Sequence, residues 1–552
     1  MTTQDVMVPM RDGVRLHTGF CLPDGGGPFA TVMFRATRAV SLGSPWARVF
    51  VEAGYAYVMQ SVRGFGKSEG DPRKEKDQAP DGVDTLEWLV AQPWCNGLVG
   101  TVGGSELGEY QLRTAFEGHP AHRAMCPYVP SYGSSNHHYG GAFMFPRTFI
   151  HSARGNMEDY AQHDWMPHFY TLPVIKMLEA SGLETTKEGR QRFYTDIPLF
   201  FDHPEDADFT DPEDFEPFKK LNTPNLMVTG WYDHCSVAAF EFYQHSMAYG
   251  SDSQKQNTHL VVGPWDHDID PKSIADYDFG DAAERDHRAG EIAFFDRHLR
   301  GDTSGDALPP VRVFVMGRNE WRDEEAWPLD RAVETHFYMH SERSVRGAWS
   351  RGGLSTVPPE DEPPDRFTYD PANPVPSWGG ANCGPSRALP MRRGPRDQRI
   401  TLYRDDVLVY YSEPMEEPLE VTGLLKMVLF AASSARDTDF TAKLMDVAPN
   451  GDARLLSDGV IRARFRNGLH RPELLTPGEP VRYEIDLWHT SNEFQPGHRI
   501  GLAISSSNFP RLPRNLNTGG DNARDSDTIS ADQTVFHDSA RPSHLILPVI
   551  KG

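Results

Sequence analysis

Short apolar segments rich in β-branched and aromatic residues alternate with amphipathic segments along the first third of the chain. A hairpin is predicted at the start, with MVPM (7–10) and VRLHTGFCL (14–22) on either side of an Arg-Asp-Gly turn. The strands predicted after it cover residues 29–37, 55–62, 97–103, 124–130, 225–233 and 259–265. Helical segments lie between several of these strands. Continuous apolar strands that alternate with helices indicate a parallel sheet covered by helices on both faces.

The alternation is interrupted between residues 131 and 220. This segment is rich in aromatic residues and histidines, with helical pieces but no convincing strand. A long insertion between two strands of a parallel sheet predicts a cap over the active end of that sheet.

After Pro309-Pro310 the pattern changes to alternating apolar and polar residues separated by turns. This spacing is typical of an antiparallel sandwich or jelly roll. The length of 552 residues also exceeds what one hydrophobic core supports. We therefore predict four segments: a first part of the core (1–130), the cap (131–220), a second part of the core (221–309) and a C-terminal β domain (310–552).

Charge and cysteine usage narrow the class of protein. The 55 basic and 78 acidic residues give a net charge of −23, which argues against nucleic acid as a partner. No apolar stretch is long enough to span a membrane, and no secretory signal is visible, so we expect a cytoplasmic protein. The five cysteines show no CxxC spacing and are expected to be free thiols. They are Cys21, Cys95, Cys126, Cys235 and Cys383.

Gly103-Gly104-Ser105-Glu106-Leu107-Gly108 follows a predicted strand and opens a predicted helix. A serine at such a corner, with small neighbours, is typical of a nucleophile elbow, in which the strained turn exposes the hydroxyl above the sheet. The alternative is a glycine-rich turn whose serine only caps the helix.

Asp233 and His267 each follow a later strand. The order serine, acid, histidine, each beyond the carboxyl end of a strand, is that of α/β-hydrolases. Those ends meet at one sheet edge, so the three side chains are predicted to converge. His267 would take the proton of Ser105, and Asp233 would fix the imidazole tautomer.

Other groups allow alternative sites, which we weigh against the triad. Asp266, Asp268 and Asp270 surround His267 but lack the spacing of a calcium loop. A Cys–His nucleophile from His234 and Cys235 would need a different elbow. His137 and His138 would line a pocket in the cap or lie exposed on a loop. We predict no metal and no cofactor.

Several motifs carry a resemblance to a known family. They are VPMRDGVRL (8–16), RGFGKSEG (63–70), the segment 81–108, GWYD (230–233) and GPWDH (263–267). With these motifs the chain resembles the CocE/NonD hydrolases, the group of the cocaine esterase, similar to X-Pro dipeptidyl peptidases and α-amino-acid ester hydrolases. The resemblance implies an α/β fold: an α/β-hydrolase core, an inserted helical cap and a C-terminal β jelly-roll domain. It also implies that Ser105, Asp233 and His267 form the triad.

The resemblance is weaker at the oxyanion hole. Glu106 stands where the family elbow has tyrosine, although only its backbone N–H is needed as a donor. Arg38 stands where the family has a tyrosine hydroxyl as second donor, and losing one donor costs about 2.7–4 kcal/mol. We expect Arg38 and Glu106 to form an ion pair beside Ser105, because an unpaired charge there would be costly. The alternative is that Glu106 faces solvent and Arg38 pairs with another acid.

These observations predict a serine hydrolase or acyl-transfer enzyme that acts on a small-molecule ester or amide through an acyl-Ser105 intermediate. Non-hydrolytic chemistry on a small, anionic metabolite (cyclisation, isomerisation or elimination) and a catalytically dead binding protein are the alternatives. The oligomeric state stays open, a homodimer included. Aromatic residues are predicted to contact the substrate, with a role in the core as the alternative. They are Trp165, Trp231, Phe143, Phe145 and Tyr139.

Overall fold

The computed structural model describes residues 2–71, 78–132, 138–146, 164–182, 187–202, 215–342, 352–382 and 393–551. The first fourteen strands are β1 (Thr2–Pro9), β2 (Arg15–Leu22), β3 (Phe29–Ala36), β4 (Ala56–Ser61), β5 (Cys95–Gly104), β6 (His122–Tyr128), β7 (His138–Tyr139), β8 (Ala142–Phe143), β9 (Asn225–Gly230), β10 (Thr258–Gly263), β11 (Ser273–Ile274), β12 (Tyr277–Asp278), β13 (Val311–Val315) and β14 (Glu320–Glu324).

Ten of these strands form the core sheet, in the order β1-β2-β4-β3-β5-β6-β9-β10-β13-β14. The predicted hairpin is present as the antiparallel pair β1–β2, and the strands from β4 to β13 along this order are parallel to one another. β4 and β9 are buried along their whole length, as expected for central strands covered on both faces. This arrangement confirms the predicted α/β core.

Helices cover both faces of the core sheet. Phe50 and Phe295 meet with their ring centroids 6.2 Å apart, which places two of the helices on one face. The core helices are Pro45–Glu52, Gln78–Val90, Glu106–Phe116, Ser236–Tyr249, Asp252–Gln256 and His287–Arg300; those of the cap are Met166–Phe169, Met177–Ser181, Lys187–Asp202 and Glu216–Lys220. Among the described residues, no helix is long and apolar enough to cross a membrane.

The core extends further along the chain than the sequence pattern indicated. β13 pairs with β10 in parallel and β14 pairs with β13, so residues 311–324 complete the core sheet rather than opening the C-terminal domain. The change of sheet architecture therefore comes after Glu324, while the domain boundary at Pro309-Pro310 stays a prediction. Pairing at a sheet edge is a tertiary contact, and the strand pattern alone does not assign it to a domain.

The C-terminal domain is β-rich. Its strands form one twelve-stranded sheet system in which the pairs are antiparallel apart from β16–β18. They are β15 (Ala332–His340), β16 (Gly352–Ser355), β17 (Asp365–Tyr369), β18 (Leu408–Ser412), β19 (Leu419–Ser433), β20 (Asp439–Val447), β21 (Ala453–Arg462), β22 (Val481–Phe494), β23 (Arg499–Ser505), β24 (Ala531–Asp538), β25 (Arg541–Pro542) and β26 (His544–Ile550). A short helix, Arg399–Leu402, precedes β18.

Four of the cysteines are buried and free, as predicted: Cys21, Cys95, Cys126 and Cys235. Cys383 lies outside the described residues.

Candidate active site

Ser105 lies at the corner between β5 and the helix Glu106–Phe116. Its backbone has φ 58° and ψ −131°, a sparsely populated conformation for a residue with a side chain. Gly104 makes room for this corner, because a Cβ there would lie 2.1 Å from the ring of Tyr128. The Ser105 side chain accepts no capping hydrogen bond from this fully described helix. The corner therefore has the shape of a nucleophile elbow, and the alternative of a capping serine is not what the structure contains.

Asp233 and His267 are in direct contact. His267 Nδ1 lies 2.8 Å from Asp233 Oδ1. The Asp233 carboxylate is fully buried and also accepts hydrogen bonds from the Thr229 hydroxyl, at 3.0 Å, and from the backbone N–H of Cys235, at 3.1 Å. The side chain of His267 is 23% exposed, so the imidazole reaches the surface of the site while its acid stays inside. Such an aspartate is held rigidly in one orientation.

Backbone hydrogen bonds align the loops that carry these two residues. The N–H of Trp231 donates to the carbonyl of Gly263, and the N–H of Tyr232 donates to the carbonyl of Trp265, each at 2.9 Å. A Cβ at Gly230 would lie 2.2 Å from the Trp265 carbonyl oxygen, so only glycine permits this approach. The segments after β9 and β10 therefore run side by side at the same sheet edge as Ser105.

The other acids near His267 have partners of their own. Asp266 Oδ2 lies 3.3 Å from Arg393 Nε, and Asp268 Oδ2 lies 3.2 Å from Arg393 Nη2. Burial raises the pKa of Asp266 even though Arg393 opposes that shift. Asp270 Oδ2 is hydrogen-bonded to Nδ1 of His287. The structure thus places Asp233, and none of these three, against Nδ1 of His267.

Arg38 and Glu106 do not form the expected ion pair. Arg38 is exposed, and its guanidinium lies over the ring of Phe34, 5.2 Å from the centroid. Glu106 Oε1 accepts a hydrogen bond of 2.7 Å from the Tyr110 hydroxyl one turn along the helix. No ion pair joins Arg38 to Glu106 in the described part of the chain. Glu106 has a local partner at i+4, and this contact replaces the predicted one.

The aromatic residues predicted to contact substrate lie in apolar cores. Trp165, Phe143 and Phe145 are at most 1% exposed and pack together in the cap cluster. Trp231 stacks on Phe240 and donates its indole N–H to the Phe314 carbonyl. Buried rings of this kind offer no surface to a ligand, so this prediction was wrong for these four. The side chains of Tyr139 and His138, and all of His137, lie outside the described residues.

The two residues that follow Asp233 in sequence lie beside the proposed triad. The sequence pattern did not assign them a role in it. The ring of His234 lies against that of His267, with 4.3 Å between centroids, and His234 Nδ1 is 3.4 Å from Asp233 Oδ1. Cys235 follows directly and is fully buried. Together with Asp233 and His267 they offer four ligand atoms that all lie within 4.8 Å of one another. The consecutive Asp-His-Cys was the available signal, but the contact with His267 is visible only in the fold.

Two protein-family models match this chain, each over a different part of it. The model of the X-Pro dipeptidyl-peptidase S15 family matches residues 12–268, and that of the X-Pro dipeptidyl-peptidase C-terminal non-catalytic domain matches residues 304–546. The first match includes the elbow, the acid and the histidine described above.

Individual proteins match over almost the whole chain. Cocaine esterase from Rhodococcus sp. (strain MB1 Bresler) is 39% identical over 574 residues, covering 99% of this chain and 98% of that protein. A solved α-amino acid ester hydrolase is 27% identical with a TM-score of 0.84, over 99% of this chain and 96% of the other. A CocE/NonD family hydrolase from Staphylococcus aureus shares the fold, with a TM-score of 0.66 at 17% identity, over 100% of this chain and 93% of the other. The chain therefore belongs to the CocE/NonD family of serine hydrolases.

Proposed function

We propose that the chain hydrolyses small-molecule esters through an acyl-Ser105 intermediate, with His267 as general base and Asp233 as the acid that positions it. The observation that carries this assignment is the 2.8 Å contact between His267 Nδ1 and the buried Asp233 carboxylate, at the sheet edge where Ser105 forms its strained elbow.

The geometry of Asp233 supports a defined tautomer of His267. When Nδ1–H donates to the carboxylate, Nε2 carries a lone pair and accepts the Ser105 proton as Oγ attacks the ester carbonyl. The imidazolium then returns this proton to the departing alcohol, which leaves the acyl group on Ser105. A water molecule deprotonated by the same Nε2 releases the carboxylic acid and restores the serine.

The oxyanion would be stabilised at the start of the helix Glu106–Phe116. The first N–H groups of a helix have no intrahelical acceptor, and the N–H of Glu106 follows the nucleophile directly. The role of Arg38 as second donor is untested; its guanidinium lies over the ring of Phe34, and we expect it to contribute little to the oxyanion hole.

The names of the relatives suggest the class of substrate for this chain, and its cysteines suggest where it acts. Cocaine esterase, by its name, cleaves an ester of a small organic molecule, and we propose the same class here, with amides and acyl transfer to other alcohols as related activities. We further propose that the protein acts in the cytoplasm, which its four buried free cysteines support.

A fluorophosphonate probe together with p-nitrophenyl acetate tests this proposal. The wild-type chain should be labelled and should release p-nitrophenol, and Ser105→Ala should lose both. Ser131→Ala is the matched control, because Ser131 is a second serine just beyond the end of a core strand, the neighbouring β6. Labelling of Ser105→Ala at the wild-type rate would place the nucleophile elsewhere.

A further inference from the structure

Four potential metal ligands of different kinds lie together around Asp233. They are one carboxylate (Asp233), one thiol (Cys235) and two imidazoles (His234 and His267), and their ligand atoms lie within 4.8 Å of one another. Three of the four side chains are at most 1% exposed. A set of two histidines, a cysteine and an aspartate is the mixed nitrogen, sulfur and oxygen set that Zn²⁺ binds in tetrahedral geometry.

The distances suit such an ion after small side-chain rotations. Donors around a tetrahedral Zn²⁺ lie about 3.5 Å apart, given metal–ligand bonds of about 2.0–2.3 Å. Nδ1 of His267 and of His234 are 2.8 and 3.4 Å from Asp233 Oδ1, so these pairs are already close to that spacing. The Thr229 hydroxyl holds the other carboxylate oxygen, Oδ2, and thereby turns Oδ1 toward the two imidazoles. Orientation of a ligand by such a neighbour is typical of metal sites.

The charge balance favours an ion of charge +2. With Cys235 as thiolate and Asp233 as carboxylate, two negative charges neutralise Zn²⁺, so the occupied group is neutral in its buried setting. Binding would release the thiol proton of Cys235 to solvent.

We propose that Asp233, His234, Cys235 and His267 form an inhibitory site for Zn²⁺ within the catalytic centre. The inference rests on the proposed function, because two of the ligands are the acid and base of the triad. Zn²⁺ bound at Nδ1 of His267 replaces the hydrogen bond to Asp233 and leaves the ring proton on Nε2. An imidazole in that state has no lone pair with which to accept the proton of Ser105, so turnover stops until the metal leaves.

Cobalt substitution and zinc titration of the full-length protein test the site separately from the chemistry. After treatment with a chelator, Co²⁺ should give the near-ultraviolet thiolate-to-cobalt absorption of a cysteine-ligated ion. ZnCl₂ should inhibit p-nitrophenyl acetate hydrolysis, and excess EDTA should restore it. Cys235→Ala should lose the absorption and require at least about tenfold more Zn²⁺ for half inhibition of its own metal-free activity.

Two further variants complete the design. Cys21→Ala removes another fully buried thiol, on β2 of the amino-terminal hairpin, and should behave as wild type. Cys235→Ser keeps the shape of the side chain and replaces Cys235→Ala if that variant fails to fold.

The outcomes separate this inference from the proposed function. Thiolate-to-cobalt absorption in a wild-type chain without esterase activity would retain the metal site and reject the triad. Absence of that absorption, or equal zinc inhibition of wild type and Cys235→Ala, would overturn the metal site and leave the proposed esterase untouched.

Discussion

The carboxylate of Asp266 lies against the guanidinium of Arg393, with 3.3 Å between Oδ2 and Nε. Asp266 precedes His267 in sequence, yet its charge is directed toward another segment of the chain. This pairing leaves Nδ1 of the histidine to Asp233 and leads to the first prediction.

Replacing Asp233 with asparagine should lower kcat for p-nitrophenyl acetate by about 10⁴, because the amide favours the wrong tautomer of His267. Circular dichroism should be unchanged, since the side chain keeps its size. Asp266→Asn is the matched control and should retain kcat within about tenfold. Near-normal turnover in Asp233→Asn, or a comparable loss in both variants, would reject the assignment of the acid.

Replacing Arg38 with alanine should change kcat by less than about tenfold. The guanidinium is exposed and lies over the ring of Phe34, so its loss leaves the N–H of Glu106 and the triad in place. The measurement is steady-state hydrolysis of p-nitrophenyl acetate. A loss of about 10²–10³ in kcat, the usual effect of removing an oxyanion donor, would show that Arg38 reaches the developing charge.

His537 should make the stability of the β domain depend on pH. Burial alone would lower its pKa, but the hydrogen bond to Asp365 and the charges of Asp365 and Glu362 leave this pKa raised above 6.5. The stabilisation is therefore complete below about pH 6.5 and is lost as the pH rises through the raised pKa. The Tm of wild type should exceed that of His537→Gln by more at pH 6 than at pH 9, as measured by calorimetry.

His489 serves as a control, because its pKa is shifted in the opposite direction to that of His537. Burial lowers the pKa of His489 to about 3, so this ring stays neutral in the folded protein. Its contribution falls as the pH drops below about 6.5, where the unfolded chain takes up the proton. The Tm gap between wild type and His489→Gln should therefore narrow toward acid, while that of His537→Gln widens. Parallel trends in both variants would contradict the prediction for His537.

Cutting the chain after residue 309 should give insoluble protein. The fragment lacks β13 and β14, and its β10 would present an unpaired edge of a buried parallel sheet. Expression at equal levels followed by centrifugation measures the soluble fraction, and a fragment that ends at residue 330 is the matched control. It keeps the complete core sheet and should be more soluble. A soluble and active 1–309 fragment would show that β10 tolerates an open edge.

The strands of the core and the likeness to a known family could be predicted from the sequence, because both depend on local runs of residues. Ser105, Asp233 and His267 follow strands that are recognisable one at a time, and parallel topology then brings them to one edge. The role of Trp165 could not be predicted, because its burial depends on how the cap packs. The partner of Glu106 was missed because Tyr110 at i+4 competes with any distant charge.

The backbone of Ser105 has a consequence for the evolution of the chain. A residue with a side chain at φ 58° and ψ −131° costs about 1–3 kcal/mol, which a glycine would largely avoid. Ser105→Gly should therefore melt at a higher temperature than wild type while it loses activity. Mutation alone would move the chain toward that more stable and inactive sequence. Engineering for thermal stability should therefore leave this corner unchanged.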